Sequence, residues 1–108
     1  MAMPPLTPES ILLIDRVAVV TGAAQGIGRA CAIALARFGC DVAISDRDAA
    51  GLDAVAAEIR GLGRQCFVGV LDVRDDDHVR AHVADLVEAF GTIDILVNNA
   101  GGGFFAPR

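Results

Sequence analysis

Apolar residues along this chain alternate between two patterns. Val17 to Val20, Asp41 to Ser45, Cys66 to Leu71 and Ile95 to Val97 are short apolar runs of the kind found in strands buried on both faces of a sheet. Between these runs apolar residues recur three and four apart, the spacing of a helix with one inward face. The first stripe is Ile27, Cys31, Ala34, Leu35 and Phe38, with Gly39 placed to end the helix. The second, from about Asp48 to Leu62, is Leu52, Val55, Ala56 and Ile59, punctuated by Gly61 and Gly63. The third is Val79, Val83, Leu86, Val87 and Phe90, preceded by Asp75-Asp76-Asp77 as a cap and stopped by Gly91. The order is β-α-β-α-β-α-β. Strands alternating with helices of this length form parallel sheets with right-handed crossovers, so the fold class is α/β, a doubly wound parallel sheet.

Composition narrows the function classes. A chain of 108 residues with 54% apolar content has material for one core, and no second domain fits. Its net charge of −5 and scattered arginines argue against nucleic acid, which needs a clustered basic face. Val17 to Ala24, among the longest uncharged apolar stretches, is far shorter than the roughly 18 residues that span a bilayer, so no membrane partner is expected. Met1 to Ser10 carries Pro4, Pro5 and Pro8 and lacks the features of a secretory signal. Residues 1–14 are therefore read as an N-terminal extension and 15–108 as the folded domain. Cys31, Cys40 and Cys66 lie inside apolar patterns without C-x-x-C spacing, which fits reduced thiols and a cytoplasmic location.

The chemistry concentrates at the carboxyl ends of the predicted strands, where open α/β sheets bind ligands. After the first strand comes Thr21-Gly22-Ala23-Ala24-Gln25-Gly26-Ile27-Gly28, a glycine-rich turn opening a helix. Such a turn lets backbone N–H groups approach a pyrophosphate, and the positive end of the helix dipole points at the same anion. Glycines kept for packing alone are the plainer alternative. Asp46 ends the second strand, 18 residues after Gly28, close to the offset at which a carboxylate accepts from an adenosine ribose. A carboxylate there repels a 2′-phosphate and favours NAD over NADP. Gln25, neutral beside the phosphate turn, supports NAD, whereas Arg47 pulls toward NADP. A second reading of Asp46 is a cap for the helix that follows. Asp72 ends the third strand and Asn98-Asn99 the fourth.

Together these segments resemble the short-chain dehydrogenases and reductases. The resemblance rests on Thr21-Gly22-x-x-x-Gly26-Ile27-Gly28, Asp46, Asp72-Val73 and Asp94-x-Leu96-Val97-Asn98-Asn99-Ala100-Gly101. It implies a Rossmann fold of strand order 3-2-1-4, here reaching only the fourth strand. It also implies that Gly22, Gln25, Gly26, Ile27 and Gly28 line the cofactor phosphates and nearby ribose, and that Asp46 holds the adenosine ribose. Asp72 and Val73 would contact adenine, Asn99, Ala100 and Gly101 would lie along the cofactor, and Asn98 would tie the central strands together.

The implied activity is NAD(P)-dependent hydride transfer between the cofactor and an alcohol or carbonyl substrate. In that family a Tyr-x-x-x-Lys pair, a serine and a further asparagine follow the Asn-Asn-Ala-Gly segment, and this chain contains no tyrosine and no lysine. No catalytic residue is therefore assigned, and the chain is expected to be inactive by itself, the cofactor-binding part of an oxidoreductase. A non-catalytic NAD-binding module and a subunit completed by a partner chain remain as alternatives. The fourth strand, at a sheet edge, is expected to promote self-association. His78 and His82, one turn apart, are read as a solvated helix face, Arg60 and Arg64 as surface charges, and Ser45 as no nucleophile.

Overall fold

A computed structural model describes residues 12–99. Its elements are β1 (Val17–Thr21), α1 (Gly26–Arg37), β2 (Asp41–Asp46), α2 (Ala49–Gly61), β3 (Cys66–Val70), α3 (Asp76–Phe90) and β4 (Ile95–Asn98). All strand pairs are parallel and the sheet order is β3-β2-β1-β4, as the resemblance implies. The chain winds outward from β1 through β2 to β3, then crosses back so that β4 lies on the other side of β1. The direction of winding therefore reverses between β1 and β4, where a parallel sheet leaves a crevice at its carboxyl edge.

Side chains alternate across the sheet. Ala18 and Val20 of β1, with Val42 and Ile44 of β2, pack against Ala32, Ile33 and Ala36 of α1 and Leu52, Val55, Ala56 and Ile59 of α2. The last four are the stripe expected for α2, and each is almost wholly buried. Full burial of a leucine or isoleucine contributes about 1.5–3 kcal/mol, so this face holds most of the core. On the opposite face Val19 and Ala43 meet Leu86 of α3, with Phe67 and Phe90 alongside.

The α1 stripe expected from Ile27, Cys31, Ala34, Leu35 and Phe38 is not the buried one. The inward residues are Gly28, Ala32, Ile33 and Ala36, while Ile27 is 74% exposed and Phe38 is also exposed. The row of small residues Gly28, Ala32 and Ala36 lets the helix lie close to the sheet, which larger side chains would prevent. For α3 only Leu86 of the expected stripe is buried; Val79 and Phe90 are half-buried, and Val83 and Val87 are exposed. Leu96, the register partner of Val19 on this face, is 66% exposed, so among the described residues the β4 side of the face is uncovered.

Of the two arginines expected at the surface, Arg60 is exposed, whereas Arg64 is half-buried in ion pairs. Arg64 is 22% exposed and lies 3.1 Å from Asp41 and 3.6 Å from Asp15. Arg60 donates to the Cys66 carbonyl at 2.9 Å. At the same amino edge of the sheet Asp94 sets the β4 register, its carboxylate accepting from the Val17 N–H at 2.8 Å while its own N–H donates to the Val17 carbonyl at 2.9 Å. The Leu13 N–H donates to the Phe38 carbonyl at 2.8 Å, and the Leu13 side chain packs on the core. Cys31, Cys40 and Cys66 are free thiols, the last two buried. No helix among the described residues is long and apolar enough to cross a membrane.

Candidate functional site

Register brings the strand tips together: Thr21 stands beside Ser45 and Asn98, and Asp46 beside Val70. From the β1 tip the chain turns through Gly22, whose φ of 64° lies in the left-handed region that favours glycine, and enters α1 at Gly26, with φ 61°. Gly28, in the first turn of the helix, passes directly under this glycine turn. A Cβ there would meet the Gly22 carbonyl oxygen and stand 2.7 Å from the Asn99 amide nitrogen. Space thus requires glycine at Gly28, and conformation favours it at Gly22 and Gly26.

The three helices begin differently. Asp48 caps α2 by accepting from the Gly51 N–H, and Asp75 caps α3 by accepting from the N–H groups of Asp77 and His78. At α1 the cap residue Gln25 makes no side-chain cap bond, and the first turn carries no acid. Neither the cap side chain nor an acid within the first turn takes up the first-turn N–H groups and the positive end of the dipole, an arrangement that suits an anionic ligand. Gln25, Gly26 and Ile27 are exposed beside the turn, and Gly28 is buried beneath it.

Asp46 does not cap α2, since Asp48 does so. Its Oδ2 accepts from the Ala24 N–H at 3.1 Å, and its Oδ1 from the N–H groups of Arg47 at 2.7 Å and Asp48 at 3.1 Å. Three backbone donors therefore fix this carboxylate against the glycine turn, and the Ser45 carbonyl accepts from Ala23 on the same side. Next along the edge, the Leu71 N–H donates to the Asp46 carbonyl at 3.0 Å, bringing Asp72 and Val73 beside it. The Asp72 carboxylate accepts from the Arg74 Nη2 at 2.7 Å and from its backbone N–H at 2.9 Å. These bonds hold its carboxyl well below the usual range. Arg47 approaches the same carboxylate at 3.9 Å.

On the other side of β1, the Asn99 N–H donates to the Thr21 hydroxyl at 3.0 Å and its amide donates to the Gly22 carbonyl at 3.2 Å. Thr21 and Asn98 side chains lie 3.3 Å apart, so both strands meet at this hydroxyl. The expected site residues Ala100 and Gly101 lie outside the described residues. Thr21, Ala24 and Arg74 are the participants that spacing did not single out as site residues; the threonine at a strand end before glycine was the visible signal for the first.

Residues expected to be peripheral fall into two groups. His78 is exposed, with its Nδ1 3.6 Å from the Asp75 carboxylate. His82 is not on a solvated face: its ring lies 5.6 Å from that of Phe67 and fills the space that a side chain at Gly69 would need. Burial lowers its pKa against the opposing pull of Asp85. Ser45 is buried, and its hydroxyl has no hydrogen-bond partner among the described residues. No group of three or more metal-ligating side chains occurs among the described residues.

A family model described as short chain dehydrogenase matches residues 16–107. L-rhamnose 1-dehydrogenase (NAD(P)(+)) of Azotobacter vinelandii is 46% identical over 95 residues, which cover 84% of this chain and 37% of that protein. For 7alpha-hydroxysteroid dehydrogenase of Escherichia coli the identity is 38% over 95 residues, covering 88% of this chain and 37% of the relative. The solved structure of a 7α-hydroxysteroid dehydrogenase complexed with NADH and 7-oxo glycochenodeoxycholic acid superposes with a TM-score of 0.87 at 36% identity, covering 93% of this chain and 39% of that one. A metagenomic short-chain oxidoreductase in complex with NADP gives 0.80 at 41% identity, covering 86% and 42%. The chain thus spans little more than a third of the length of these curated relatives.

Proposed function

Because the chain belongs to the short-chain dehydrogenase family, we propose that the crevice at its strand tips holds the dinucleotide of an oxidoreductase, NAD in preference to NADP. Members of this family are solved with either cofactor, so the preference rests on the residues of this chain. The observation that carries it is the Asp46 carboxylate, fixed by three backbone N–H groups at the tip of β2 beside the glycine turn. With Oδ1 taken by two N–H groups and Oδ2 by one, Oδ2 keeps one acceptor site for a ribose hydroxyl, and a phosphate in that place meets like charge.

The first turn of α1 and the Gly22–Gly28 turn receive the pyrophosphate, Asp72 and Val73 border the adenine, and Asn99, with Ala100 and Gly101 by the family resemblance, lies along the cofactor. The cofactor, when bound, supplies a hydride acceptor or donor. The whole protein of which these residues form the cofactor-binding part, 15–108, interconverts an alcohol and a carbonyl compound. By itself the chain binds NAD without turnover, because it has no tyrosine or lysine for the proton exchange at the substrate oxygen. The same absence supports a second reading, a non-catalytic NAD-binding module.

Titration with NAD followed by thermal unfolding tests the proposal. At about 100 times Kd, binding adds about 2.7 kcal/mol, a rise in Tm on the order of 10 °C for a domain of this size. An unchanged Tm at saturating NAD overturns it. Self-association through the outer edge of β4, where Leu96 is exposed, is read from the molar mass by light scattering.

A further inference from the structure

Two arginines compete for one carboxylate at the adenosine end of the crevice. Arg74 takes nearly all of it: its Nε lies 3.1 Å from both Asp72 oxygens, its Nη2 2.7 Å from Oδ2, and its backbone N–H 2.9 Å from Oδ1. Planar two-point pairing of this kind is the strongest arrangement available to a guanidinium and a carboxylate. Arg47 reaches the same Oδ2 only with its Nε, at 3.9 Å, beyond hydrogen-bond length, and its side chain is 69% exposed. Nor does Asp46 offer it a vacant oxygen edge, since both Asp46 oxygens accept backbone N–H groups. Arg47 is therefore a cation at the ribose end of the crevice whose nearest acid is already neutralised.

Resting on the dinucleotide reading above, we propose that Arg74 is a specificity-setting residue. By occupying Asp72 it leaves Arg47 free to turn toward a 2′-phosphate, so the site keeps measurable affinity for NADP despite Asp46. Without Arg74 the Asp72 carboxylate is uncovered, and Arg47 closes the gap to it. The guanidinium is then held at the β3 tip, away from the adenosine ribose beside Asp46. NAD, which has no 2′-phosphate, gains nothing from Arg47 in either state.

The ratio of the NADP and NAD dissociation constants is the readout, because any general effect on the adenine side cancels in it. Calorimetric titrations of the full chain with NAD and with NADP are compared for the parent, Arg47→Ala, Arg74→Thr and the double variant. Both side chains are mostly exposed, so the fold is retained. Arg74→Thr should raise the ratio about three- to fivefold, the scale of an exposed ion pair, and Arg47→Ala about tenfold. The double variant should match Arg47→Ala alone, since Arg74 acts only through Arg47. Multiplying effects in the double variant, or an Arg74→Thr change that weakens both cofactors equally, overturns the proposal while leaving the crevice assigned. A parent chain that binds NAD but no NADP at millimolar concentration also overturns it, and one that binds neither overturns the dinucleotide reading itself.

Discussion

The Asn99 side-chain amide donates to the Gly22 carbonyl, bonding the tip of β4 to the turn after β1 across 77 residues of chain. Gly28 lies directly beneath that bond, with no room for a methyl group between it and either partner. The β4 tip and the glycine turn are thus joined by a side chain reaching over, above a residue that has none.

Gly28→Ala should therefore damage both stability and binding. The obstacle is backbone, the Gly22 carbonyl, which cannot rotate away as a flexible side chain would. Denaturant unfolding should show a loss of about 1–3 kcal/mol, and the Tm rise on adding NAD should disappear. Gly61→Ala is the control, because nothing lies within 4 Å of a Cβ there and the residue is helical. It should leave NAD binding unchanged and stabilise by about 0.5–1 kcal/mol.

Removing the Asp46 carboxylate has two separable consequences. In Asp46→Ala the N–H groups of Ala24, Arg47 and Asp48 lose their acceptor, and the fold should lose about 1–3 kcal/mol by chemical denaturation. In Asp46→Asn one oxygen remains to accept, so stability should fall less, but the repulsion of a 2′-phosphate is gone. Calorimetry should show the preference for NAD over NADP reduced about tenfold.

Acidification should loosen α3 through His82. Its Nε2 is buried without a hydrogen-bond partner among the described residues, and burial depresses the pKa below the ordinary value of 6.5. Because the unfolded chain takes up the proton first, this contribution is present above about pH 6.5 and is lost as the pH falls through the depressed value. Asp72, whose carboxyl is also lowered, acts in a different window, below its ordinary 3.8. Tm measured between about pH 7 and pH 5 should fall less steeply in His82→Leu than in the parent. Parallel slopes would assign the acid sensitivity to other groups.

Thiol labelling should separate the three cysteines. Burial pushes the Cys66 thiol up to about 11, and raises that of Cys40 as well. At about pH 8 both are protonated and shielded, so iodoacetamide should modify Cys31 alone in the native chain, and all three in denaturant. Mass spectrometry of the peptides reads the outcome.

Much of this architecture was legible because local signals and the fold agree. Apolar runs at Val17, Asp41, Cys66 and Ile95 became the four strands, and the α2 stripe of Leu52, Val55, Ala56 and Ile59 was buried as spaced. Periodicity misled at α1, where proximity to the glycine turn and sheet selects the small row Gly28, Ala32 and Ala36 over the larger Ile27 and Phe38. At α3 it overstated burial, because period alone does not say how much of a face has a neighbour. Spacing alone puts His82 on a solvated face because the gap at Gly69 that receives it lies on another element.

The linear chain by itself determined the order of elements, the glycine turn and the acids that end the strands, since each depends on residues close in sequence. Only the tertiary structure decided that Asp46 is held by Ala24, that Asn99 reaches Gly22, and that Arg74 rather than Arg47 holds Asp72. Those are questions of distance between side chains and backbone groups, including contacts across different strand tips. Parallel register, which no single segment encodes, is what places the tips side by side.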